Sequence, residues 1–299
     1  MYKTPILLLI FNREDTTQKV FDVIRLQKPK YLFIAADGAR KNKPDEVEKC
    51  QRVRDIIKQV DWDCNLKTLF RDENLGCKLA VSSAITWFFE QVEQGIIFED
   101  DCLPDPSFFL YCEELLNRYK DDTRIGHISG NNFLPGIIEE GLSYDFCTCV
   151  HIWGWATWRR VWNNFDLNLS FWEEQKSKRS SLFCNKRAEI YFSSFISDAL
   201  ANKNNFSIWD TQYWFSLSLQ NQLAIYPAVN LVTNIGLGDP NASHTTKKKD
   251  KQSIPTTPIP FPLKHPGHVL RNKKIDDSTI KKLFFSWKRM ARYFLTRNE

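Results

Sequence analysis

The sequence predicts an α/β fold, a mostly parallel sheet flanked by helices, on three observations. Short, wholly apolar runs recur through the first half of the chain, each followed by a stretch with apolar residues at helical spacing. Such alternation of buried strands and amphipathic helices builds a largely parallel sheet with helices on its faces. Polar residues then gather just after the apolar runs, where open parallel sheets collect their ligands. The 299 residues suffice for one large domain, and a composition 42% apolar and 14% aromatic can fill its core.

The elements follow in order. Residues 4–11 form a first strand ending at Asn12-Arg13, and Asp15 or Thr16 can cap a helix carrying Val20, Phe21 and Ile24. Tyr31 to Ala36 is a second strand, closed by Asp37-Gly38; Pro44-Asp45 opens a helix with Val47, Cys50, Val53 and Ile57 on one face. Leu66 to Phe70 gives a third strand, and a turn at Asn74-Leu75-Gly76 leads to a helix through Ala80, Ala84, Ile85 and Phe88. Gly95 precedes a fourth strand, Ile96-Ile97-Phe98, and after Glu99-Asp100-Asp101 the stretch Pro104-Asp105-Pro106 starts a helix through Phe109, Cys112, Leu115 and Leu116.

The second half is less regular. Residues 125–129 and 146–150 are expected as strands, 156–165 and about 180–202 as helices, and 224–226 and 229–232 as late strands. Six prolines within 238–268 suggest a segment wrapping over the surface, and 279–296 a final helix. The expected organisation is a domain over 1–246, its nucleotide-binding half at 1–120 and its acceptor half at 121–246. A flexible segment at 247–278 and a basic amphipathic helix at 279–299 would follow.

Composition excludes several classes. A net charge of +5 is too small for a dedicated nucleic-acid binder. The N-terminal apolar run is about half a membrane span, has no cleavage pattern after it, and reads as a buried strand. The eight cysteines include no Cys-x-x-Cys pair and read as free thiols in a reducing compartment, so a cytoplasmic protein is expected. His127 and His151, in strand-like contexts, read as satisfied core or rim residues.

Four polar signals fall at strand ends: Asn12-Arg13, Asp37-Gly38, Arg71 with the Asn74-Leu75-Gly76 turn, and Glu99-Asp100-Asp101. The triplet is the sharpest. Three carboxylates after a buried strand repel one another unless a cation or solvent compensates, and Mn²⁺ or Mg²⁺ prefers carboxylate and phosphate oxygens. Taken alone, the triplet could also be a solvated turn with a helix-capping Asp.

The run from Ile96 through Glu99-Asp100-Asp101 to Pro106-Ser107-Phe108-Phe109 resembles the metal-binding segment of GT-A-fold sugar transferases. It is especially similar to the β-1,2-N-acetylglucosaminyltransferases of family 13. Asn74-Leu75-Gly76-Cys77-Lys78, Trp153 to Arg159 and Asn234-Ile235-Gly236 resemble bacterial surface-polysaccharide transferases that use nucleotide-diphospho-sugars. The resemblance spans about residues 4–246. It implies a GT-A (Rossmann-like) fold and a metal-dependent, inverting glycosyltransferase. The donor would be a nucleotide sugar, UDP-linked, and the acceptor a glycan or a lipid-linked molecule.

By the same resemblance Arg13 would pair with the donor diphosphate, and Asp37 would accept uracil N3–H. Asn74 and Lys78 would lie on the donor side. Asp100 would approach the ribose or sugar, Asp101 would ligate Mn²⁺ or Mg²⁺, and Glu99 would assist. Arg13 also reads as a surface arginine, and Asp37 as a turn former. Asp210, between Trp209 and Trp214, would be the base that takes the acceptor proton; an N-cap is the competing reading. Trp153, Trp155 and Trp158 could form a sugar platform or pack in the core, and Gly154 would let the backbone approach the donor sugar. His244 is a second candidate metal ligand, as in some GT-A transferases though not family 13, or an exposed loop residue. Lys247-Lys248-Lys249 could draw in the diphosphate.

In the last helix Ile280, Leu283, Phe284, Trp287, Met290 and Phe294 share a face among basic residues, which fits either an anionic inner-membrane surface or docking on the protein's own core. Two rival functions are a sugar-phosphate nucleotidyltransferase and a non-catalytic carbohydrate-binding protein. Asn12-Arg13-Glu14-Asp15 lacks the glycine-rich phosphate loop usual in the first. The intact acidic triplet together with Asp210 argues against the second.

Overall fold

A computed structural model describes residues 1–201, 208–238 and 254–284. The first half alternates as the apolar periodicity requires: β1 (Ile6–Ile10), α1 (Glu14–Gln27), β2 (Tyr31–Ala36), α2 (Asp45–Arg54), β3 (Asn65–Phe70), α3 (Gly76–Phe89), β4 (Gln94–Glu99). A short β5 (Cys102–Pro104) and α4 (Ser107–Arg118) follow. The second half holds β6 (Ile125–Ser129), β7 (Tyr144–Cys147), β8 (Trp155–Trp158), α5 (Arg159–Trp162), α6 (Arg179–Leu182), α7 (Lys186–Ala201), α8 (Asp210–Leu219), β9 (Leu223–Pro227), β10 (Val232–Asn234) and α9 (Lys273–Thr279).

Eight strands form one sheet in the order β3-β2-β1-β4-β8-β6-β9-β7. β3, β2, β1 and β4 are mutually parallel, and β6 and β9 run with them, because β8 is antiparallel to both β4 and β6. Only β8 and β7 run against the rest. The mostly parallel, helix-flanked sheet expected from the sequence is therefore present. Every residue of β1 is buried, as helices on both faces demand. Full burial of each such Ile or Leu side chain contributes ~1.5–3 kcal/mol.

Several local expectations shift. α1 begins at Glu14 with Arg13 in the capping position, so neither Asp15 nor Thr16 caps it. On α2, Cys50 and Val53 are buried but Val47 is 63% exposed, and the inward role of Ile57 passes to Ile56 where the helix tightens to 3-10 geometry. The helix expected from residue 156 starts only at Arg159, and residues 156–158 belong to β8 instead. Its Ala156 pairs with both Ile96 and Ile128, and two flanking ladders outweigh the helical propensity of a four-residue stretch. The strand expected at 229–232 starts only at Val232, where β10 pairs antiparallel with β5.

Residues 254–278 do not run free of the body, as a flexible segment would. Asn230 Nδ2 donates to Ile254 O (2.8 Å), Ile259 N to Ser107 Oγ (3.0 Å) and Lys264 N to Ser143 Oγ (2.9 Å). Asn272 caps α9 by accepting from Lys274 N and Ile275 N. Ile280 is buried, and Phe284 packs on Tyr191 and Phe192 of α7 at 5.5 and 5.4 Å between ring centroids. The start of the apolar face expected for a membrane thus docks on the protein; Trp287, Met290 and Phe294 lie outside the described residues. Among the described residues no helix is long and apolar enough to cross a membrane.

Candidate active site

A cleft of about 200 Å³ opens at the carboxyl ends of β1 to β4. Asn12 and Arg13 enter it from the end of β1, Asp37 from β2, Arg71 and Asn74 from the turn after β3, and Glu99 and Asp100 from the end of β4. Parallel pairing produces this convergence: β1 lies between β2 and β4, with Leu9 beside both Ala35 and Glu99, so the chain emerges from adjacent strands at one level.

Arg13, Glu99 and Asp100 form the cleft's charged wall, and Asp101 lies behind it, outside the cleft lining. Arg13 Nη1 donates to Asp101 Oδ2 at 2.8 Å, and Nη2 pairs with Asp100 Oδ1. Asp100 and Asp101 are buried, and Asp100 Oδ2 has no hydrogen-bond partner among the described residues. Burial, with Asp101 and Asp100 as like-charged neighbours, pushes the Glu99 carboxyl up to about 8. Burial also lifts Asp100 to about 6, against the pull of Arg13. Among the described residues, Arg13 thus pairs with two of the three acids.

The triplet is clasped from outside by Asn234-Ile235-Gly236. The β10–β5 pairing sets Asn234 opposite Cys102, Ile235 N donates to Asp101 O (2.8 Å), and Gly236 N donates to Asn234 Oδ1 (2.9 Å). A Cβ on Gly236 would stand 2.5 Å from Arg13 Nη1 and 2.6 Å from Asp101 Oδ2. Glycine is required there by proximity to the ion pair.

Asp37 is engaged differently from the uracil contact expected of it. Its oxygens accept from Gly38 N (3.0 Å), Leu75 N (2.9 Å), Asn74 Nδ2 (3.0 Å) and Gly76 N (3.0 Å). The carboxylate is spent on the turn that opens α3, and a base reaching it would have to displace one of these donors. Gly38 admits the turn, since a Cβ there would lie 2.4 Å from the backbone carbon of Glu73. Gly76, at φ +74, needs the left-handed region.

Asp210 is the first residue of α8 and Trp209 holds the capping position, so Asp210 is not the N-cap. Its Oδ1 accepts from Thr211 N at 2.8 Å, and its charge contributes to raising both Glu99 and Cys77. It therefore stands within electrostatic reach of the triplet. Cys77, in the cleft wall, is pushed up to about 12 by burial and then by Glu99, Asp210 and Asp37.

The remaining candidates fall elsewhere. Lys78 on α3 is not among the cleft-lining residues. Gly154, at φ +65, is explained by packing: a Cβ would lie 2.8 Å from Val232 Cγ2 and 3.1 Å from Phe98 Cε1. Trp155 and Trp158 are buried; Trp155 stacks on Trp209 (5.9 Å) and His127 (5.2 Å), and Trp158 Nε1 donates to Leu116 O. They are core, not a sugar platform, and Trp153 alone of the three is half-buried. His127 and His151 are buried, and desolvation holds them down to about 3 and about 4. His244 and Lys247-Lys248-Lys249 lie outside the described residues.

Sequence reasoning missed Phe11, Arg40 and Cys77, which also line the cleft. The Arg40 guanidinium lies 5.6 Å from the centre of the Phe11 ring and is held by buried Glu46, which also accepts from Asn12 Nδ2 (3.0 Å). The available signal was Glu46 itself, an acid that faces inward on α2.

No protein-family model matches the chain, and no curated protein matches it. Among solved structures it is similar to S. aureus TarS 1–349 at TM-score 0.37 and 10% identity, over 55% of this chain and 51% of that one. The chain thus spans about half the length of that structure. It is similar to 4-diphosphocytidyl-2C-methyl-D-erythritol synthase from Anaerococcus prevotii at TM-score 0.37 and 9% identity, over 74% and 87% of the two chains. HddC from Yersinia pseudotuberculosis follows at TM-score 0.32 and 10% identity, over 57% and 83%. At these scores the assignment of the cleft rests on its own geometry.

Proposed function

We propose that the chain is a metal-dependent glycosyltransferase that moves a sugar from a nucleoside diphosphate donor, of the UDP class, to a glycan or lipid-linked acceptor. The observation that carries the reading is the charged edge of the cleft: Arg13 pairs with Asp100 in the wall and with Asp101 behind it, while among the described residues Asp100 Oδ2 is buried without a hydrogen-bond partner. A nucleoside would lie over the ends of β1 to β3, with Asp37 fixing the turn beneath it and Arg40, stacked on Phe11, bordering it.

The acids suit Mn²⁺ or Mg²⁺. Among the described residues no group of three or more His, Cys, Asp or Glu side chains forms a ready-made metal cage. A small divalent ion would take one or two carboxylate oxygens here and complete its shell with donor phosphates and water, as magnesium sites commonly do. When bound, the ion neutralises charge on the leaving diphosphate. Arg13 would bind phosphate oxygens through its fork, and Gly236 keeps room for Arg13 and Asp101 to meet. Asp210 would accept the acceptor hydroxyl's proton from the opposite face of the anomeric carbon, giving inversion.

Thermal-shift titrations of nucleotide sugars with and without Mn²⁺ test the reading, since a ligand at ~100 times its Kd stabilises by about 2.7 kcal/mol. UDP-sugars are expected to raise Tm only with the ion present, and Asp101→Ala to remove the effect. A full shift in Asp101→Ala would overturn the metal assignment.

A further inference from the structure

We propose that Arg13 is the resting counter-ion of Asp100 and Asp101, and that a divalent cation and a diphosphate bind cooperatively because the first displaces the guanidinium and the second receives it. The proposal rests on the donor-site reading above and adds a regulation of that site. The backbone of Arg13 is anchored at the start of α1, where its carbonyl accepts from Thr17 N at 3.1 Å. Its side chain divides its fork between two carboxylates instead of gripping one: Nη1 meets Asp101 Oδ2 at 2.8 Å, and Nη2 meets Asp100 Oδ1. These are oxygens a cation would contest. Asp100 is 4% exposed, and among the described residues its second oxygen has no hydrogen-bond partner, so the arginine leaves part of the site's capacity unused.

Arg13 also lines the cleft, so a released guanidinium remains where a diphosphate would lie. Gly236 approaches Arg13 from the other side, where a Cβ would be 2.5 Å from Nη1, and the cleft is the open space that Arg13 borders. Without a diphosphate, a cation must break two charge-assisted hydrogen bonds with nothing offered to the arginine in return. With one, the guanidinium exchanges carboxylates for phosphates, and the cation gains phosphate ligands as well. Linkage requires the coupling to be reciprocal.

Electron paramagnetic resonance titration of free Mn²⁺ tests this without any turnover, using wild type, Arg13→Gln and Arg13→Lys, each with and without UDP. Arg13→Gln is expected to bind Mn²⁺ alone ~10-fold or more tighter than wild type, since charge-assisted bonds of about 1.5–3 kcal/mol no longer oppose it. Arg13→Lys, charged but without the fork, should fall between them. UDP should tighten Mn²⁺ binding ~10-fold or more in wild type and less than ~3-fold in Arg13→Gln. Circular dichroism at the titration temperature establishes that each variant is folded, and Arg13→Lys carries the test where Arg13→Gln is not. Mn²⁺ binding no tighter in the variants, or a UDP effect of equal size in all three proteins, would overturn the proposal. Tighter Mn²⁺ binding in the variants with no UDP effect anywhere would instead refute the donor reading and the diphosphate half. No Mn²⁺ binding by any protein would overturn both.

Discussion

The two halves of the sheet are built on different terms. From β1 to β3 each strand is followed directly by its own helix, and the polar residues that matter lie within a few positions of a strand end. From β6 onward assembly relies on distant partners: β8 inserts antiparallel between β4 and β6, and β10 pairs with β5 in a separate two-stranded sheet across more than a hundred residues. The first half gathers a cleft; the second supplies a wall of packed aromatics, the Gly236 clasp and Asp210. A donor site can thus be largely legible in local pattern while its enclosing side is not.

Trp155 gives the largest expected effect and tests whether the second half is core or sugar platform. Trp155→Ala should lower unfolding stability by ~3–5 kcal/mol, because the indole is buried against Trp209, His127 and Tyr213. Urea titration checks this; a stability change under about 1 kcal/mol with a raised acceptor KM would restore the platform. Asp210→Asn comes next and separates the halves functionally. Transfer should fall ~100-fold or more, as expected for loss of a general base, while donor affinity measured calorimetrically stays within about twofold. Equal losses of both would place Asp210 on the donor side.

The smallest effect concerns His151. Its folded-state value is depressed to about 4 from an ordinary 6.5, so the unfolded chain binds the extra proton between those values. Its contribution to stability is present above pH 6.5 and is lost as pH falls through that window. His151→Phe should therefore flatten the decline of stability by ~1.4 kcal/mol per pH unit near pH 5, relative to wild type. Urea titrations at pH 7, 6 and 5 read the slope; an unchanged slope would mean that His151 titrates normally.

Much of the cleft could be read from residues alone. Arg13, Asp37, Asn74, Glu99 and Asp100 line it because each follows a strand whose apolar run and parallel pairing set its position. What those residues do was less legible. Asp37 looks like an open acceptor until the turn at Asn74 to Gly76 is folded onto it, and that approach depends on Gly38 having no side chain. Gly154 looks like a ligand-facing glycine, yet Val232 and Phe98 account for it. Trp155 to Trp158 could not be recognised as a strand, since four residues carry too little periodicity and their partners are far away in sequence. Arg40 was missed because its importance depends on Glu46 turning inward on the neighbouring helix.

The central claim is that the cleft holds a nucleoside diphosphate sugar whose diphosphate leaves. The most direct measurement is identification of the nucleotide released when the protein is incubated with candidate acceptors, nucleotide sugars and Mn²⁺. A nucleoside diphosphate, formed by wild type and lost in Asp101→Ala, is the expected result. Pyrophosphate released from a nucleoside triphosphate and a sugar phosphate, with no diphosphate formed from any sugar donor, would contradict it.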